Sequence, residues 1–452
     1  MTNNIQTTKT SFRGLGTPCF KQAWQLIRQH KLFSAIYIAG TALGISMVMV
    51  MAIMDYVKTA DISPEINRSR MMYVKSIQMT SSDTVRFKYP NSGRLSYNAV
   101  KEFLMPLKNV ETISIMTSGA DLASLPGDDN LVKIKSRFVD ANYWRVFNFR
   151  FLAGKPFSDA DYASGLDVAV ITESLAKKFF GSSDVAVGQN VEYGFKPYRV
   201  VGVVKDVSYV LDDTYAQIWI NFTSDEDYDE GWNERGGMMG TISKVFLLAR
   251  SVSDFKTINN EVNERVRLYN AQGPEWRADF LGQPDKRGTA INRFASNIKP
   301  NMKKIRIQNI LIVFLLLLVP AINLSGMNGT RMEHRLSEMG VRKAFGASRS
   351  KLVNQVLTEN LLLTGLGGLA GLLLSYLVIF FTKNWILDLG KIFAEPIFEG
   401  ASVNFSMSML FNLKIFVIVL LACLAMNILS ALVPVYRSLR KSITDSLNIK
   451  YN

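Results

Sequence analysis

Four apolar stretches of membrane-crossing length divide this chain into very unequal parts, and they fix most of what it can become. They are residues 32–54 (LFSAIYIAGTALGISMVMVMAIM), 307–327 (centred on LIVFLLLLVPAINL), 361–381 (LLLTGLGGLAGLLLSYLVIFF) and 415–435 (IFVIVLLACLAMNILSALVPV). A bilayer core takes about 20 apolar residues in a helix, since every backbone polar group must be satisfied inside the segment. Residues 55–306 lie between the first stretch and the second. The expected architecture is therefore an α-helical membrane protein with four transmembrane helices. A large mixed α/β extracytoplasmic domain is inserted between helices 1 and 2.

The first stretch reads as a retained signal anchor. Its apolar core is too long for a cleaved signal, some 30 residues precede it, and no small-x-small site follows. Cys19 follows Gly16-Thr17-Pro18 with no apolar run before it, which does not suit a lipid-modified cysteine. Lys21, Arg28 and Lys31 precede the first helix, the loop 331–351 is basic, and Arg437, Arg440 and Lys441 follow the last. Basic flanks stay on the cytoplasmic side. Both termini are then expected inside and residues 55–306 outside. Arg293, Lys299, Lys303, Lys304 and Arg306 run against that rule, and a basic stalk resting on lipid headgroups would account for them.

Net charge is +14 and mean hydropathy is +0.10. In a membrane chain such charge reads as basic loops facing anionic lipid, and no basic-aromatic stripe points to nucleic acid. The two cysteines, Cys19 and Cys423, and the two histidines, His30 and His334, all fall outside 55–306. The external region thus has no disulfide, no thiol or imidazole metal ligand, and no Ser-His-Asp or Cys-His site. No catalytic residues and no metal site are expected. The acidic run SDEDYDEGWNE at 224–234 fails the calcium-loop pattern, because Glu230 and Gly236 stand where Gly and Glu are needed. No G-x-x-x-x-G-K-[ST] loop occurs, so ATP, if used, is bound by a partner subunit and the chain carries no cofactor.

Inside 55–306, DVAVI at 167–171 reads as a buried strand. TESLAKKFF at 172–180 reads as a helix with Thr172 as N-cap and Gly181 as its stop. YRVVGVV at 198–204 and AQIWINF at 216–222 read as strands. Residues 255–269 have helical spacing through Ile258, Val262, Val266 and Tyr269, and 273–288 looks like loop. In the membrane stretches, Gly40-x-x-x-Gly44 and Gly367-x-x-x-Gly371, with Gly365 and Gly368 nearby, suit close helix packing. Pro320 interrupts the second apolar stretch and marks a kink. Residues 331–350 (RMEHRLSEMGVRKAFGASRS) are too polar for the bilayer and are pinned between two membrane helices. A loop so placed either rests on headgroups or takes a push from a cytoplasmic partner.

Four stretches together resemble the permease subunits of MacB/FtsX-type ABC transporters, which include the lipoprotein-releasing permeases. Residues 23–44 resemble the family's entry helix and first membrane helix. Residues 136–206, with SRFVDANYWRVFNFRFLAGKPFSDAD, VAVITESLAKKFFG and YRVVGVVKDV, resemble the MacB-type periplasmic core domain. EMGVRKAFGASRSKL at 338–352 resembles the E-x-G-[VI]-R-x-A-x-G-A-x-x-x-x-[IL] loop, and PVYRSLRKSITDSL at 434–447 resembles the closing element, departing from it at Ile443 and Ser446.

The resemblance implies a coupling helix in the loop, with Glu338, Gly340, Val341, Arg342, Lys343, Ala344, Gly346 and Ala347 docking on a cytoplasmic ABC ATPase dimer. It implies a permease subunit, not an enzyme, that passes ATP-driven motion to its periplasmic domain (mechanotransmission) to export or release a substrate. The other reading is a non-transporting FtsX-type signalling permease controlling an outside partner such as a wall hydrolase. Implied partners are a second permease copy, identical or different, and a periplasmic adaptor or outer-membrane channel, besides membrane lipid. The expected order is a cytoplasmic entry helix (1–31), a first span (32–54), the external domain with a helical stalk (55–306) and a second span (307–330). Then come the coupling loop (331–360), a third span (361–382), an external loop (383–414), a fourth span (415–436) and a cytoplasmic tail (437–452). The expected location is the bacterial inner membrane, multi-pass, with N and C termini cytoplasmic and the large domain periplasmic.

Overall fold

The computed structural model describes residues 24–25, 28–29, 31–225, 228, 237–293, 298–334, 349–389 and 412–440. The chain divides into two compact units. One comprises Met1–Met54, Lys303–Ile386 and Leu410–Asn452, and the other Asp55–Met302 with Leu387–Met409. Among the described residues six helices have eight residues or more: α1 (Lys31–Thr59), α2 (Glu173–Phe180), α3 (Phe255–Ala271), α4 (Met302–His334), α5 (Arg349–Leu389) and α6 (Leu413–Arg440).

Three described helical spans are long and apolar enough to cross a membrane: Lys31–Thr59, Leu357–Phe381 and Leu413–Ser430. The apolar stretch 307–327 falls within α4 and is not one of these three. In this unit α1, α5 and α6 are tied by polar groups. Asn427 on α6 donates to the Thr364 hydroxyl on α5 at 3.0 Å. The Tyr37 hydroxyl of α1 lies 3.4 Å from the same oxygen. In lipid such bonds are each worth about 1 kcal/mol, because the partners have no water to turn to.

The second unit is the mixed α/β region. Its strands in chain order are β1 (Met71–Val74), β2 (Ile77–Ser81), β3 (Asn91–Gly93), β4 (Val110–Ser124), β5 (Val132–Val139), β6 (Phe151–Gly154), β7 (Val168–Thr172), β8 (Asn190–Tyr193), β9 (Lys196–Val204), β10 (Ile218–Asn221), β11 (Lys244–Ala249), β12 (Trp276–Asp279) and β13 (Asp285–Lys286). Ten form one sheet in the order β13-β1-β11-β4-β5-β10-β7-β9-β6, with β8 paired to β4 and β9. The pairs β5–β10 and β7–β9 are parallel and the others antiparallel. A second sheet has the order β12-β2-β3.

Residue type explains the interior strands. All five residues of β7 and all four of β10 are buried, as expected for apolar runs covered on both faces. Thr172 ends β7 and its side chain accepts from the Leu175 N–H, starting α2, while Gly181 closes that helix at φ 81°. This is the strand–cap–helix–glycine order expected from the sequence. The helix expected at 255–269 is α3, which buries Phe255, Ile258 and Val262.

Two expectations need correction. Residues 273–288, expected as loop, contain β12 and β13. Trp276 and Ala278 point inward while Arg277 and Asp279 point out, an alternation too short to stand out in the sequence. Arg293 does not rest on headgroups. It is buried, with its guanidinium 2.6 and 3.1 Å from the two carboxylate oxygens of Asp285. The acidic run 224–234 lies mostly outside the described residues.

The close of β6 is tightly built. Gly154 has φ 66°, and a Cβ there would come within 2.2 Å of the Val201 carbonyl oxygen. Left-handed backbone and a backbone clash both select glycine. Gly154→Ala is therefore expected to lower stability by more than Thr172→Ala, whose lost cap costs about 1 kcal/mol. Thermal unfolding of the purified variants checks the order.

Candidate functional site

In the mixed α/β unit, charge gathers where α1 ends. The last carbonyls of a helix have no partner within it. Here Arg68 donates to the carbonyls of Val57 at 2.7 Å and Ala60 at 2.9 Å, and Arg287 donates to that of Lys58 at 2.8 Å. Two cations at a helix C-terminus also suit its dipole.

Both guanidinium groups are held from behind. Arg68 pairs with Glu65 at 2.5 Å, and both side chains are wholly buried. Glu65 in turn accepts from the Thr214 N–H at 3.1 Å and from the Thr214 hydroxyl at 2.8 Å. Arg287 pairs with Asp213 and lies 3.8 Å from Glu65. Asp213 and Asp212 both pair with Lys244, each at 2.6 Å. Arg137 of β5 donates to the Asp212 carbonyl at 2.7 Å, and the Tyr143 hydroxyl donates to that of Asp213 at 2.8 Å. The helix end is thus tied to the loop before β10, the start of β11 and the residue after β13.

The network sets its own charge states. Burial alone would raise the Asp213 carboxyl, but Lys244 and Arg287 hold it well below the usual carboxylate range. The stability this brings is present above that range and is lost as pH falls through it. Burial lowers Lys244, yet Asp212 and Asp213 outweigh it and raise the ammonium. Burial, with Lys244 nearby, lowers Lys75 to about 8.

One buried carboxyl stands outside this network. Asp140 accepts from the Ser114 hydroxyl at 2.6 Å and the Tyr143 N–H at 3.1 Å. Burial pushes it from 3.8 up to about 7, against those hydrogen bonds.

The residues expected to dock an ATPase, Glu338, Gly340, Val341, Arg342, Lys343, Ala344, Gly346 and Ala347, lie outside the described residues. Gly367 and Gly371 meet α1. A Cβ at Gly367 would lie 2.7 Å from the Thr41 Cβ, and one at Gly371 would lie 2.9 Å from the Ala42 carbonyl oxygen. Among the described residues nothing lies within 4 Å of a Cβ built on Gly40, so it takes no part in that contact. Gly44 is buried. Pro320 falls inside α4, which runs from Met302 to His334. Sequence reasoning missed Glu65, Arg68, Asp213, Lys244 and Arg287. The spacing Glu65-x-x-Arg68 and a lysine opening the apolar strand KVFLLA were the only signals.

Comparison with known proteins decides the family. The model for the MacB-like periplasmic core domain matches residues 34–265, just over half of the 452 residues. That for the FtsX-like permease C-terminal matches 310–443. The chain belongs to the MacB/FtsX-type ABC transporter permeases. It is 22% identical over 370 residues to the uncharacterized ABC transporter permease YknZ of Bacillus subtilis, covering 79% of this chain and 84% of that one. It is 22% identical over 376 residues to the macrolide export ATP-binding/permease protein MacB of Campylobacter jejuni, covering 82% of this chain and 55% of that one. The chain therefore spans about half the length of the relatives named as ATP-binding/permease proteins. Among solved structures, the extracellular domain of YknZ from Gram-positive bacteria matches with 18% identity and a TM-score of 0.32, over 45% of this chain and 98% of that one.

Arg68→Met leaves the buried Glu65 with only the longer contact to Arg287 at 3.8 Å, so it is expected to cost about 3 kcal/mol. The double variant Glu65→Gln, Arg68→Met should recover part of that loss in denaturant unfolding followed by tryptophan fluorescence. For Asp140 the native carboxyl binds a proton more tightly than the unfolded one. Its contribution is present below about pH 4 and lost as pH rises through about 7. Asp140→Asn is expected to unfold at higher temperature than the native chain at pH 8, with the gap shrinking at pH 5.

Proposed function

We propose that this chain passes ATP-driven motion from a separate cytoplasmic ATPase dimer to its own external domain, and that this motion exports or releases a substrate. The observation that carries the reading is the double hold on the end of α1. Arg68 and Arg287 grip the helix carbonyls while ion-paired to the body of the domain. A displacement of that helix end is delivered to the sheet through bonds too short and too buried to slip. Rigid elements joined this way move as hinge or shear bodies and do not deform continuously.

In this reading α4 supplies a fourth crossing at 307–330, both termini are cytoplasmic, and residues 55–306 face the periplasm from a bacterial inner membrane. The segment 338–347 is the coupling helix. Arg342 and Lys343 make polar contacts with the ATPase, and Gly346 with Ala347 allows close approach. A second permease copy completes the pair, and a periplasmic adaptor or outer-membrane channel continues the route outward. Relatives named for export of macrolides, syringafactin and pyoverdine support export over signalling.

Arg342→Ala and Gly346→Leu are each expected to abolish stimulation of the partner ATPase by the permease while leaving membrane insertion intact. Stimulation unchanged in both variants, measured in proteoliposomes, would overturn the assignment.

A further inference from the structure

Asp140 borders a cavity of about 420 Å³ in the external unit, a size typical of small-molecule sites. Its walls include Tyr97, Met105, Leu107, Ile113, Ile115 and Tyr162; Leu107 and Ile115 belong to a buried apolar core, Tyr97, Ile113 and Tyr162 pack against it, and Met105 is exposed. The charged groups at its rim are already neutralised. Glu111 pairs with Arg70, and Arg145 with Asp159. Asn142 is satisfied too, donating to the Ile113 carbonyl at 2.9 Å and accepting from Arg145 at 2.7 Å.

Among the described residues Asp140 has no cation beside it. Its contacts are the Ser114 hydroxyl, the Tyr143 N–H and the Ile115 backbone, all neutral donors. Such donors satisfy lone pairs but leave the charge uncompensated. A buried carboxylate of this kind is costly unless a positive group joins it. A carboxylate also has about four acceptor sites, so the neutral donors do not exhaust it.

We propose that this cavity binds a protonated organic amine carried on an apolar or aromatic body, with Asp140 as its counterion. The ammonium replaces the missing cation. The tyrosine rings and aliphatic walls take the body, and aromatic faces favour a nearby cation. The simpler role for Asp140 is to hold the turn that starts the short helix Tyr143–Val146. That role explains the Tyr143 bond, but neither the cavity beside it nor the lack of a cation among the described residues. The proposal rests only on the external unit and does not depend on the transmission reading.

The test uses the full chain in lipid nanodiscs at pH 8, with empty nanodiscs as blank. Titration calorimetry compares tryptamine with tryptophol, which has a hydroxyl in place of the ammonium. Tryptamine is expected to bind saturably and about tenfold or more tighter than tryptophol, the margin of one charge-assisted contact. Asp140→Asn should erase that margin while leaving tryptophol unchanged. Ile113→Trp, which fills the cavity and keeps the carboxylate, should weaken both. The proposal is overturned if tryptamine does not bind saturably, if both probes bind alike, or if the margin survives in Asp140→Asn.

Discussion

Everything the external unit does at its first helix depends on two guanidinium groups holding that helix by its last carbonyls. A helix end is ordinarily a weak handle, because its carbonyls bond to water and fray. Here Arg68 and Arg287 replace the water, and Glu65 and Asp213 fix the guanidinium groups in turn. Buried ion pairs add little net stability, since desolvation offsets most of their attraction. Their value is geometric: the planar fork of arginine bonds only in certain directions, so the helix end has one seat.

The membrane unit is assembled by different means. Gly367 and Gly371 let α5 approach Thr41, Ala42 and Ile45 of α1, while Thr364 joins Tyr37 and Asn427. Close packing and a few polar bonds suffice in lipid, where no hydrophobic force drives helices together. Gly40 has no described neighbour at this contact, although its motif is the same as that of Gly367 and Gly371. A small-residue spacing reveals that a helix has a smooth face, but not which neighbour meets it.

What the sequence made legible was whatever depends on neighbours in the chain. The order strand, Thr172 cap, helix and Gly181 stop was readable because each signal lies within a few residues of the next. The family motifs were readable for the same reason, as in FLAGKPF around Gly154. The joint was not. Glu65, Asp213, Lys244 and Arg287 are far apart in sequence, and each taken singly is an ordinary charged residue near a turn. Arg293 shows the same limit: its charge suggested a lipid surface, yet Asp285 draws it inside. The alternation in Trp276–Asp279 spans only four residues, too few to outweigh the glycines around it. Asp140 lies within the motif SRFVDANYW, but nothing in the chain could show that it faces a cavity and has no cation among the described residues.

The scatter of the joint along the chain has a consequence for biosynthesis. A ribosome releases the polypeptide from its amino end, so α1, Glu65 and Arg68 emerge early. Asp213 and Arg287 follow only after most of the domain has been made, and until then the carbonyl of Lys58 lacks its partner. The growing chain thus carries its first helix only half fastened. The joint cannot close before Arg287, shortly ahead of α4, has been made, so a finished anchor reports a finished domain.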